Sequence, residues 1–107
     1  MDRGSTDPSR ALEALAQAAR KTPGLELLML FGSRARGDAQ SRSDWDFGYL
    51  ATSAIDVARL LGALVEMLGS DRVDLVDLQR ASGLLRYRAA RDGRLLYEAR
   101  PGLGERF

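Results

Sequence analysis

The sequence contains no cysteine and no histidine. The first absence excludes disulfide scaffolds, zinc knuckles, iron–sulfur sites and thiol nucleophiles. The second removes Ser-His-Asp triads and imidazole metal sites. Chemistry in this chain therefore runs on carboxylates, hydroxyls, arginine, backbone amides or a metal held by oxygen. An excess of one charge is also lacking, since 16 basic residues stand against 15 acidic for a formal net charge of +1. That balance argues against binding by bulk electrostatics, so direct nucleic-acid binding is not expected. Lysine is nearly absent: Lys21 is the sole one, a compositional bias to which no function is attached. No apolar run approaches the roughly 20 residues of a membrane span. The opening MDRGSTDPSR also lacks the apolar stretch of a signal peptide. No membrane association is expected, and the cytoplasm is the default compartment.

What remains is 107 residues that are 45% hydrophobic and 29% charged, the profile of one globular domain spanning 1–107. Residues 1–6 and 100–107, polar or rich in Gly and Pro, are expected to be flexible or irregular. Asp7-Pro8 reads as an N-cap followed by Pro at the first helical position. Leu12, Leu15, Ala16 and Ala19 then recur at helical spacing up to a stop near Thr22-Pro23-Gly24. Leu25 to Phe31 is almost continuously apolar and only seven residues long, which predicts a buried strand.

Residues 32–44 hold two Gly, three Ser and no large apolar side chain, hence a loop with at most one helical turn. Trp45 to Leu50 reads as a second strand. Val57, Leu60, Leu61, Leu64, Val65 and Leu68 follow the helical period, predicting a helix over 55–68 with Thr52 or Ser53 as cap and Gly69 as stop. Arg72 to Leu78 is a third strand, Ser82 to Asp92 a short helix, and Arg94 to Glu98 a last strand. This order implies a small α/β (α+β) domain with helices on a mixed sheet. Short connections allow antiparallel pairing, and the crossover through the 55–68 helix allows a parallel pair. Strands 45–50 and 94–98 are the candidates for a sheet edge.

The chemically informative segment is Gly32-Ser33 after the first strand, then ten residues, then Asp44-Trp45-Asp46 entering the second. Strand residues two apart share a face, so Asp44 and Asp46 aim both carboxylates one way. Two such groups repel unless a cation sits between them, and hard Mg²⁺ takes oxygen ligands from carboxylates and substrate phosphates. Gly32 permits close backbone approach, Ser33 offers a hydroxyl and an amide to phosphate oxygens, and Arg34 and Arg36 add positive charge. Asp74 and Asp77 interrupt the third strand; being three apart they face opposite sides, so at most one joins the pair. Asp74 is favoured, with Asp77 the alternate. Each half of the pattern alone reads more simply as a turn or a cap. At a background of ~5–7% per residue type, the combination at one fixed spacing arises on the order of once in a hundred thousand starts.

GSRARGDAQSRSDWDF, taken with the later RVDLVDL, resembles the Gly-Ser-x10-Asp-x-Asp motif of the DNA polymerase beta superfamily, and within it the minimal nucleotidyltransferases. The resemblance runs from the first strand to Gly93-Arg94-Leu95-Leu96-Tyr97-Glu98. It implies the polymerase-beta-like nucleotidyltransferase fold. It also implies Gly32, Ser33, Arg36 and Ser43 on the nucleotide, and Asp44, Asp46 and Asp74 as catalytic residues and ligands of two Mg²⁺ ions. ATP would be the substrate and pyrophosphate the leaving group, with two metals stabilising the attacking and leaving oxygens. Family members of this kind pair with a HEPN protein, transferring AMP to a tyrosine of that toxin and complexing it as its antitoxin. Two other readings compete: a non-catalytic module that neutralises its partner by binding, and a transferase acting on a small hydroxyl compound.

Overall fold

The computed structural model describes residues 8–37 and 43–106, without the side chains of Pro8, Ser9, Ser33, Glu105 and Arg106. The lead-in over 1–6 and the Asp7 cap lie outside the described residues. Helix α1 (Pro8–Arg20) opens on a proline whose fixed φ suits a first helical position. The short apolar run is strand β1 (Leu25–Phe31), followed by a single turn, α2 (Ser33–Arg36). Then come β2 (Trp45–Ala51), α3 (Val57–Leu68), β3 (Val73–Asp77), α4 (Gly83–Asp92), β4 (Arg94–Glu98) and α5 (Leu103–Arg106).

Two local expectations are corrected. Helix α3 starts at Val57, and its cap is Asp56 rather than Thr52 or Ser53, the Asp56 carboxylate accepting from the Arg59 N–H at 3.0 Å. Three residues with capping side chains precede the helix, and the chain uses the last because 52–56 are spent turning away from the end of β2. The stop is as read: Gly69 takes φ +64° and its N–H returns to the Val65 carbonyl. In the tail, 103–106 are not irregular but form α5, anchored where the Gly104 N–H donates to Glu98 Oε1 at 3.1 Å.

The four strands form one mixed sheet in the order β3-β2-β1-β4. β1 pairs antiparallel with both β2 and β4, and β2 pairs parallel with β3 across the α3 crossover. Strand β4 is at an edge as expected; β2 is not, because β3 covers its outer side. Strand β1 sits in the interior and is buried on both faces, which explains its unbroken apolar sequence. On one face Leu28 and Leu30 pack with Phe47 against Leu15 and Ala19 of α1 and Leu60 and Leu64 of α3. On the other, Leu27, Met29 and Phe31 pack with Leu78 and with Ala89 of α4, flanked by Leu50, Leu85 and Leu103. Helices α1 and α3 thus cover one face, whereas α4 and α5 cover the other beside the positions where the acids emerge.

Candidate active site

The ladder between β1 and β2 brings the two halves of the motif together. Phe31 stands opposite Asp46, so Gly32, one residue on, lies against the Asp46 side chain. Gly32 has φ +81°, a left-handed backbone, and its carbonyl accepts the Ala35 and Arg36 N–H groups at 3.1 Å each, starting α2. A Cβ at this position would stand 2.6 Å from Asp46 Oδ2. Glycine is therefore required twice, by conformation and by the space the carboxylate takes.

On the other side of β2, Asp46 pairs in register with Asp74 of β3. The same register sets Asp77 beside Tyr49, on the opposite face of the sheet, where it accepts from the Gln79 N–H at 3.0 Å and pairs with Arg80 at 3.8 Å. Of the two candidates for a third carboxylate, Asp74 is the one that joins Asp46. Burial, then the negative charges of Asp44 and Asp74, push the Asp46 carboxyl above its ordinary range. Asp44 lies just before β2, exposed, and is engaged by Arg72 at 3.5 Å. With Asp44 held there, no three acidic groups among the described residues form a ready-made metal cage. The donor set still fits a hard cation: it is all oxygen, its charges repel, and Asp44 is restrained only by an exposed ion pair of small worth.

Arg34, expected to add positive charge near phosphate, makes contacts within the chain. Its guanidinium stacks 4.3 Å from the Trp45 ring centroid, and Nη2 donates to the Ser43 carbonyl at 2.9 Å. Trp45 in turn stacks on Phe47, ring centroids 6.3 Å apart and planes nearly parallel. Arg34 thus clasps the two ends of the connection between Gly32 and Asp46. Ser43, expected on the nucleotide, meets Arg34 through its carbonyl, and the Ser33 hydroxyl lies outside the described side chains.

A cleft of about 380 Å³ opens between Gly32, Arg36 and Asp46 on one side and Leu85, Arg88, Arg91 and Asp92 of α4 on the other. A second hollow of about 200 Å³ is formed by Asp44, Asp71, Arg72, Val73 and Asp74. Arg36 lines the first cleft beside Gly32 and Asp46. The arginines of α4 were not singled out from the sequence, where that helix reads through Leu84, Leu85 and Tyr87. Arg88 and Arg91, three apart in a helix, share a face, and that spacing is the signal. A cavity of about 440 Å³ at the far end of β2 and β3 is lined by Thr52, Ser53, Asp77 and Arg80, away from these acids.

Residues 13–101 match the family model described as polymerase beta, nucleotidyltransferase. The chain is 38% identical to the protein adenylyltransferase MntA of Aphanizomenon flos-aquae, over 73% of this chain and 60% of that protein. It thus spans less than two thirds of that relative's length. Among solved structures it resembles a toxin–antitoxin crystal structure with AMP-PNP, at TM-score 0.74 and 32% identity, covering 88% of this chain and 77% of that one. It also resembles a complex of a tri-AMPylated Shewanella oneidensis HEPN toxin with its MNT antitoxin, at TM-score 0.64 and 30% identity over 85% and 72% of the two chains. The match runs from within α1 to just past β4 and so includes Gly32, Asp46 and Asp74, whose convergence is what the two strand ladders produce. The chain belongs to the polymerase beta nucleotidyltransferase family.

Proposed function

We propose that this chain is a Mg²⁺-dependent protein adenylyltransferase that moves AMP from ATP to a tyrosine hydroxyl of a partner HEPN toxin, acting as its antitoxin. The observation that carries the reading is the meeting of Gly32, Asp46 and Asp74 at one end of the sheet, with an arginine-lined cleft beside them. The similar structures support the donor and the acceptor, one holding AMP-PNP and the other an AMPylated toxin. Because ATP is the donor, the cytoplasm is the compartment assigned.

Asp44, Asp46 and Asp74 are the residues that would hold two Mg²⁺ ions, which supply positive charge between carboxylates and phosphate oxygens. The chain's own part is positional and acid–base. Gly32 clears the space in which Asp46 approaches the backbone at the end of β1. Asp74, in register beside Asp46, accepts the proton of the acceptor hydroxyl. The hydroxyl oxygen bonds to the α-phosphorus, the bond from that phosphorus to the β-phosphate oxygen breaks, and pyrophosphate departs with the electron pair. Ser33 and Arg36 bear on the triphosphate.

The test is to incubate the protein with labelled ATP and Mg²⁺, with and without the product of its neighbouring gene, and to read label on protein by intact mass. AMP on the partner, abolished by Asp44→Asn or Asp46→Asn, is expected. A tight complex with no transfer would replace this reading with neutralisation by binding.

A further inference from the structure

The cleft beside Asp46 is lined by charges of both signs. Arg36 from α2 stands on the carboxylate's side, and Arg88 and Arg91 from α4 face it, with Asp92 as the acid on the α4 wall. Arg91 grips Asp92 with both arms of its guanidinium, Nε to Oδ1 at 3.0 Å and Nη2 to Oδ2 at 2.8 Å. The Arg91 hydrogen bond first, then the charges of Arg91, Arg36 and Arg88, hold the Asp92 carboxyl below its usual range. Three guanidiniums thus line the cleft with two carboxylates, Asp46 and Asp92, and Arg88 and Arg91 stand together on the α4 wall. Planar guanidiniums suit the bidentate recognition of phosphate as well as of carboxylate.

We propose that Arg88 and Arg91, with Arg36, form the pyrophosphate subsite of this cleft, and that Asp92 competes with the β- and γ-phosphates for Arg91. The proposal rests on the transferase reading for the identity of the ligand. Its chemistry is complementary to that of the acids. As the acceptor oxygen bonds to the α-phosphorus and the bond to the β-phosphate oxygen breaks, negative charge grows on the leaving pyrophosphate, where these cations stand. The acceptor proton goes to Asp74, so charge and atoms balance without a further reactant.

The test is calorimetric titration of the full chain in excess Mg²⁺ with inorganic pyrophosphate and, separately, with AMP. Arg88→Ala/Arg91→Ala is expected to weaken pyrophosphate binding by about tenfold or more and to leave AMP binding within about twofold. Asp92→Asn is expected to tighten pyrophosphate, and Arg80→Ala, at the far end of the sheet, to change neither. Unaltered pyrophosphate affinity in the folded double variant, or equal losses for pyrophosphate and AMP, overturns the subsite. Should the double variant not fold, Arg88→Ala and Asp92→Asn carry the same comparison. The two readings fail separately. Pyrophosphate binding that depends on Arg88 and Arg91 in a protein that transfers no AMP removes the transferase and keeps an anion subsite. Transfer with an unchanged KM for ATP in the double variant does the reverse.

Discussion

At the scale of single residues, Gly32 and Asp46 form one constraint. Gly32→Ala both strains a left-handed backbone and drives a methyl group to 2.6 Å from Asp46 Oδ2. The expected loss is about 2 kcal/mol, a drop of roughly 10 °C in Tm for a domain of this size. Transfer is expected to fall with it, measured by thermal unfolding and AMP incorporation on the same preparation. Asp46 has a pH signature. Its carboxyl titrates above the unfolded value, so the folded chain holds the proton more tightly than the unfolded one. The fold accordingly loses stability as pH rises from the ordinary carboxylate range through the raised value. Asp46→Asn removes that penalty. In chelator, its Tm is expected to exceed that of the unmodified chain at pH 7, and the gap to close near pH 4. Added Mg²⁺ should raise Tm for the unmodified chain and not for the variant. A variant less stable at pH 7 in chelator would show that Asp46 carries no such strain.

At the scale of elements, the Arg34 clasp ties the start of the connection to its end. The chain has one tryptophan, and it is the ring Arg34 covers. Arg34→Ala is expected to shift Trp45 emission and to raise the KM for ATP with a smaller effect on kcat, while costing about 1 kcal/mol of stability. Unchanged emission would mean that the stack does not persist in solution. Gly48→Ala tests packing beneath the sheet, since its Cβ would press to 2.6 Å from Leu78 Cδ2. The expected cost is about 1–3 kcal/mol by chemical denaturation, with transfer retained in the folded fraction. Strands β1 and β4 were legible because short apolar runs bounded by turns have few alternatives. The α3 cap was not, because Thr52, Ser53 and Asp56 all carry capping groups and only the path off β2 chooses among them. Helix α5 is too short for periodicity to mark. Asp74 and Asp77 illustrate the limit well: parity puts them on opposite faces, but which face holds Asp46 is decided by register, a property of two strands together. The contacts of Arg34 were not legible either, its ring and carbonyl partners lying eleven and nine residues away in sequence.

At the scale of the whole molecule, a net charge of +1 conceals a division. Acids gather where β2 and β3 begin, and arginines stand across the cleft on α4. Among the described residues no helix is long and apolar enough to cross a membrane. Because separated charges of both signs line one cleft, salt is expected to weaken nucleotide affinity while leaving the Tm nearly constant, a contrast that titration and unfolding at low and high ionic strength would read. Uniform loss of both would place the charges in the fold and not in binding.

The antiparallel pairing of β1 and β2 also says what holds the two halves of the motif together. The separation of Gly32 from Asp46 is set by hydrogen bonds between strands and clamped by Arg34 at the ends of the connection. That separation is thus fixed by the ladder and not by the number of residues between. Doubling the stretch between Gly37 and Ser43 with Gly-Ser sequence should cost only about 0.6 kcal/mol of loop entropy and leave pyrophosphate titrations unchanged. If the ladder alone holds Gly32 against Asp46, the two halves of the motif are joined by folding before they are joined by sequence, and a longer connection leaves their meeting intact.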